Sequence, residues 1–224
     1  MWHWLTQTDA GLATRIGAGV LIFAMLALID LRRNGHSARR WREYLFLLLC
    51  VSAAMAYGIV NDLITSSISW EYFCYGKGLW PEILHDVPPD PAKLRLAAAV
   101  VGMKATWTAG LIGGVVLLIA NNPSHERHQL SFAALMRLLF LVLIAAAVTA
   151  VVLGVAGGWG LLTWYSHDFA EMVRRNEMRP YRFMTTFGIH LGGYVGAFWG
   201  LVAAVIVILH RRIAFKSVDK DRTP

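Results

Sequence analysis

Charge and cysteine are both scarce in this chain. Only 16% of its 224 residues are charged, against about 25% in an ordinary soluble domain. Long stretches hold almost no charge, and short segments between them hold most of the arginines. That leaves no room for a sizeable separate soluble domain. The two cysteines, Cys50 and Cys74, fall in an apolar run and a polar segment, at different depths, so no disulfide is expected between them. No Cys-x-x-Cys pair exists, which removes thiolate metal sites and dithiol redox motifs. There is no Gly-rich phosphate loop, no Gly-x-Ser-x-Gly elbow and no His-Glu-x-x-His, so P-loop, Rossmann, nucleophile-elbow and zincin chemistry are set aside. The net charge of +7 does not point to nucleic acid, because the basic residues flank apolar runs and do not line one face of a polar domain.

What the chain has in abundance is apolar residues, 57% of the total. A membrane span needs about 20 mostly apolar residues. Five segments qualify, at about 12–29, 44–64, 96–120, 134–162 and 187–209. The expected fold is therefore all-α, an integral membrane bundle of five helices, with residues 1–224 as a single transmembrane domain. The first run lacks a basic start and a small-residue cleavage site, and reads as a retained span.

Lysine and arginine in short loops stay cytoplasmic. Twelve of them, from Arg32–Arg42, Arg127, Arg137 and Arg211–Arg222, fall on one side, and eight, from Arg15 to Arg182, on the other. This places the N-terminus outside and the C-terminus in the cytoplasm, most naturally in a bacterial inner membrane. The outer side then carries two long connections. One contains Asp86-Val87-Pro88-Pro89-Asp90-Pro91, which cannot be regular helix. The other has a candidate amphipathic helix from Asp168 to Met178. Trp2, Trp4, Trp70, Trp80, Trp159 and Trp164 fit an interfacial belt. On the inner side His125, Arg127 and His128 read as a solvated turn, and the Arg32–Arg42 cluster suits anionic lipid head groups.

Gly188, Gly192, Gly196 and Gly200 recur every four residues in the fifth run. Such a stripe lets another helix approach closely, either within the chain or in a homo-oligomer or other membrane partner. His190 and Tyr194 lie one turn apart on another face. His190 reads either as a histidine hydrogen-bonded within the bundle or as a ligand or proton carrier. Lys104, inside the third run, needs a counter-charge, a hydrated cavity or a snorkelling path. Asp62 is its expected partner.

The segment from Tyr57 to Phe73 is the most distinctive. On one continuous helix Asp62 and Glu71 would point about 180° apart, so the two meet only if the chain turns, with Ser66-Ser67 the expected place. The segment carries Tyr57-Gly58, Asp62, Ile64-Thr65 and Ser69-Trp70-Glu71-Tyr72-Phe73. In this it resembles an uncharacterised family of bacterial multi-pass membrane proteins. Weaker similarity extends to Thr106–Gly110 and His190–Tyr194. Such segments often have Pro before the Glu and Gly-His-Pro a few residues later. Here Trp70 and Gly76-Lys77-Gly78 stand instead. The resemblance implies membership of that family and no particular activity.

The expected polar site is Asp62, Glu71, Tyr72, Lys104 and His190 at the outer end of the bundle. Asp62, Glu71, His85, His167 and His190 are also candidate ligands, because imidazole with carboxylate suits a divalent transition metal such as zinc, iron, manganese or copper. Separate solvated loop residues are the better reading of this set. Three readings of function follow. One is a small transporter or ion-handling protein with Asp62, Lys104 and His190 along a hydrated path. The second is a membrane-embedded metal-dependent enzyme. The third is an accessory or structural subunit whose polar residues only fix the fold.

Overall fold

The computed structural model describes residues 9–35, 38, 40–79, 88–122, 129–162 and 179–220, side chains at 9, 10, 12 and 214–220 aside. Five helices make up the bundle: α1 (Asp9–Asn34), α2 (Arg40–Ile68), α3 (Pro91–Ala120), α4 (Phe132–Gly158) and α5 (Pro180–Lys220). Among the described residues there is no strand. Each helix contains a stretch long and apolar enough to cross a membrane. The outward surface is apolar too, with Leu21, Ile119, Val151 and Ile206 all exposed. A protein in water would not present so continuous an apolar exterior; a lipid bilayer accounts for it.

The helix ends follow from local chemistry. Asp90 caps α3 by accepting from the backbone N–H groups of Ala92 and Lys93, with Pro91 at the first helical position, where its missing N–H costs nothing. Ser131 caps α4 through Ala134. The α1–α2 turn is held by the buried Asp30, whose Oδ2 accepts from Arg40 N at 2.9 Å. Helix α4 ends at Gly158, four residues short of the apolar run read from the sequence. Gly160 takes φ +77°, and its N–H and that of Leu161 bond back to Gly157 O and Ala156 O. This is a Schellman stop, which needs a residue at positive φ. At the opposite end of the bundle the buried Arg212 guanidinium donates to Ala120 O and Asn122 O. It satisfies carbonyls that the end of α3 leaves without intrahelical partners.

The helices pack as two tight pairs, α2 with α3 and α4 with α5, and α1 lies against α2, where Phe23 stacks on Tyr44. Glycines set both pairs. A Cβ at Gly58 would collide with the backbone of Gly102, and one at Gly110 would lie 2.6 Å from Cys50 O. On α5 a Cβ at Gly188, Gly192 or Gly196 would strike the carbonyls of Leu153, Thr149 and Ala145. The four-residue glycine stripe is thus filled by α4 of the same chain. Of the two kinds of partner expected for the stripe, a helix of the same chain packs against it here.

Candidate functional site

The site grows from the end of α2. Ser66 and Ser67 do not break the helix: both hydroxyls donate back to Leu63 O, at 2.9 and 3.3 Å, as serines inside helices do. The break falls at Ser69. Its hydroxyl accepts from the Tyr72 N–H at 3.2 Å, three residues on, and donates to Glu71 Oε2 at 2.8 Å. The first bond is that of a helix N-cap. The chain then makes a wide π-helical turn over Tyr72–Gly76, closed by Lys77 N donating to Tyr72 O at 2.8 Å. That turn folds the following residues back over the bundle and aims Lys77 at Asp62.

Asp62 is buried at 2% exposure, with its carboxyl carbon against the Gly102 position of α3. Only a glycine there leaves it room. Lys77 Nζ lies 3.6 Å from Asp62 Oδ2 and 5.9 Å from the centre of the Tyr72 ring. The Asn61 amide donates to Asp62 Oδ1 at 3.2 Å and faces His190 Nδ1 at 3.5 Å. His190 Nδ1 is itself 3.7 Å from Asp62 Oδ1.

His190 is held on every side. Tyr72 stacks on it with ring centres 4.8 Å apart, and Phe73 meets it edge-on at 6.1 Å. Its Nε2 is 3.3 Å from Thr65 Oγ1, whose own proton goes to Asn61 O at 2.8 Å. Thr65 can therefore only accept from the ring. Nε2 then carries the proton, and Nδ1 accepts from Asn61, an assignment that uses each donor once. The imidazole is fully used in joining α5 to α2. Thr186 adds a second link, donating to Thr65 O at 3.5 Å.

The structure brings Asp62, Tyr72 and His190 into one cluster. Glu71, also 2% exposed, has its carboxylate engaged by Ser69 beside them. Lys104 is not the partner of Asp62. It lies two residues past Gly102, about 200° round α3 from the face that meets Asp62, and is half-buried there; the cation beside Asp62 is Lys77. Among the described residues no three His, Cys, Asp or Glu side chains gather closely enough to hold a metal ion. Of the five expected ligands, Asp62 is ion-paired with Lys77, Glu71 accepts from Ser69, and His190 lies beside Asp62; the other two, His85 and His167, lie outside the described residues. So do His125, Arg127, His128, the Asp168–Met178 segment and Trp2, Trp4, Trp80 and Trp164.

Sequence reasoning left Lys77, Asn61, Thr65 and Tyr57 out of the polar site. The signal for Lys77 was its place in Gly76-Lys77-Gly78, a lone cation shortly after the Ser69-x-Glu71 cap. The Tyr57 hydroxyl packs 2.9 Å from where a Cβ on Gly193 would lie, within electrostatic reach of Asp62 and Tyr194. Two buried polar atoms of the cluster, Tyr57 Oη and Asp62 Oδ2, have no hydrogen-bond partner among the described residues.

Beneath the cluster lies a cavity of about 330 Å³ between the two helix pairs. Asn61, Asp62, Tyr57 and His190 form its polar end, and Leu117, Leu139 and Leu201 its far end. From His190 to Leu201 is about 16 Å along α5. The walls between are apolar and small, including Ala105, Ala109, Ala146 and Ala197. Ile112, Tyr194 and Phe198 line the cavity and are exposed on the outside as well, so it opens sideways onto the surface that lipid covers. Comparison with protein-family models, curated proteins and solved structures finds no match.

Proposed function

We propose that this multi-pass membrane protein binds and handles a small amphipathic molecule that enters from the bilayer, its polar end at the Asp62 end of the cavity and its apolar part along the walls toward Leu201. The observation that carries this reading is the cavity itself, with apolar walls and polar groups confined to one end. Small-molecule sites have this character: volumes from about 300 Å³ upward, mostly apolar lining, and a few polar groups that fix orientation. The depth of about 16 Å is close to half of the ~30 Å hydrocarbon core, so a molecule resident in one leaflet matches it.

A bare ion is a poorer fit, because an ion path needs polar groups along its length, and beyond Thr106 and Tyr194 the lining toward Leu201 is apolar. The handled species is thus better read as lipid-like than ionic, whether the outcome is transport or chemistry. The residues that carry the resemblance to bacterial multi-pass membrane proteins, Tyr57, Asp62, Thr65, Ser69, Glu71, Tyr72 and Phe73, are those that build the cluster. We propose that this segment marks a family sharing the site, at the outer face of a bacterial inner membrane.

Photolabelling tests the reading. A diazirine-bearing alkyl probe should label Ala109, Ala197 and Leu201 in the purified protein, and Ala109→Phe, which adds bulk to the cavity wall, should abolish that labelling. Labels spread evenly over Leu21, Val151 and Ile206 would leave only lipid contact and favour the accessory-subunit reading. Stoichiometric metal in the purified protein would restore the enzyme reading.

A further inference from the structure

Two atoms at the polar end of the cavity have no hydrogen bond among the described residues: Asp62 Oδ2, whose ion pair with Lys77 is 3.6 Å long, and Tyr57 Oη. Together they describe the group that belongs between them. Asp62 Oδ2 is a buried acceptor. Tyr57 Oη is a buried hydroxyl that can donate. Both residues line the cavity. Leaving such groups without partners is costly, and in hydrocarbon there is no water to relieve them. Two neighbouring polar groups are already committed. Asn61 serves Asp62 Oδ1 and His190, and His190 is tied to Thr65.

We propose, resting on the amphipathic-ligand reading above, that the molecule carries a neutral hydroxyl at its polar end. That hydroxyl donates to Asp62 Oδ2 and accepts from the Tyr57 phenol, while its single hydrocarbon chain runs toward Leu201. A hydroxyl is one donor plus acceptor capacity, which complements this pair. Charge selects against the alternatives. Asp62 and Lys77, 3.6 Å apart, already balance each other. A carboxylate or phosphate head would face Asp62, and an ammonium head would compete with Lys77; either leaves a net charge buried against apolar walls. A ketone or ether could accept from Tyr57 but brings no hydrogen to Asp62 Oδ2, which then keeps only its 3.6 Å ion pair with Lys77. The lateral opening beside Tyr194 and Phe198 lets a bilayer-resident alcohol enter without crossing the head-group region.

The test uses the full chain in lipid nanodiscs and four photoactivatable probes of equal chain length: dodecanol, its methyl ether, dodecanoic acid and dodecylamine, each with the diazirine in the chain. Labelling at Ala197 and Leu201 is quantified by mass spectrometry against competing unlabelled probe. Dodecanol should compete at least about tenfold better than its methyl ether, because sites built for a hydroxyl reject the analogue that lacks it. It should also outcompete the acid and the amine. Asp62→Asn should shrink the alcohol-to-ether ratio toward one, because only the alcohol brings a proton to Asp62, whereas Tyr57→Phe should weaken competition by alcohol and ether alike. No effect of Tyr57→Phe on either would overturn the inference. If alcohol and ether compete equally in the wild type, or acid or amine competes best, the hydroxyl inference falls and the cavity reading stands. If no probe labels the cavity, both fall. Should Asp62→Asn fail to fold, the wild-type ratio and Tyr57→Phe decide alone.

Discussion

Asp62 sets the energetics of the site. A carboxylate at 2% exposure survives near hydrocarbon only with a counter-charge or a polar cavity, and Lys77 supplies the charge. Lys77→Met should destabilise the protein by about 3 kcal/mol, as loss of one partner from a buried pair does. Lys77→Met with Asp62→Asn should recover most of that. A double-mutant cycle in detergent unfolding should give a Lys77–Asp62 coupling of about 1 kcal/mol or more, and a Lys104–Asp62 coupling inside about 0.5 kcal/mol; the reverse ranking would reassign the pair. Asp62 and His190 were legible in the sequence because ionisable residues inside apolar runs are rare. Their true cation was not, since a lysine in the fourth turn of a span looks more pressing than one in a Gly-Lys-Gly loop. Cys74 gives a pH readout nearby. Burial, helped by the Glu71 charge, pushes its thiol from 9.0 up to about 11. The unfolded chain loses this proton first, so stability should fall as pH rises from 9 toward 11. Iodoacetamide should modify native Cys74 only slowly until pH nears that upper value; rapid alkylation at pH 8 would contradict its burial.

At the scale of elements, the break after α2 and the glycine contacts decide the geometry. The five helices were legible because apolar runs of this length have few other solutions. The position of the turn was not. Three serines, Ser66, Ser67 and Ser69, read alike in sequence, yet two return their hydroxyls to Leu63 O and one sends its hydroxyl forward to cap Tyr72. Which of these wins depends on tertiary packing of Tyr72 and Phe73 against Phe183 and His190, and no local pattern reports it. Glycines pose the same problem. Gly102 and Gly113 are indistinguishable by sequence, but a Cβ on Gly102 would collide with Gly58 O and lie 3.0 Å from the Asp62 carboxyl carbon, whereas one on Gly113 meets nothing within 4 Å. Gly102→Ala should therefore cost about 1–3 kcal/mol by overpacking and disturb the Lys77–Asp62 pair. Gly113→Ala should be tolerated or gain up to about 1 kcal/mol from helix propensity. Thermal unfolding of both variants in the same detergent checks this, and equal melting temperatures would mean that α2 and α3 do not approach as closely as Gly58 and Gly102 require.

At the scale of the whole molecule, the bundle has two chemically different ends. One end carries the Asp62 cluster, the π-turn and the Asp90 cap; the other carries Asp30, Asn121 and Arg212, whose side chains all serve helix ends. The polar groups of the cavity lie toward the first end. Which aqueous compartment faces that end therefore decides where a ligand is received or released. The count of twelve Lys and Arg against eight leads us to propose that the Asp62 end faces outside, and Lys77, one of the eight, is engaged with Asp62 and does not act as a free loop charge. Discounting it sharpens the asymmetry. With both native cysteines buried, single thiols can be introduced at exposed positions without removing them. A membrane-impermeant maleimide added to intact cells should label Asp90→Cys and leave Asn34→Cys and Asn122→Cys unlabelled until the membrane is permeabilised. Labelling of Asn34→Cys and Asn122→Cys alone would invert the topology, turn the Asp62 cluster to the cytoplasm, and make the inner leaflet the source of whatever enters beside Tyr194 and Phe198.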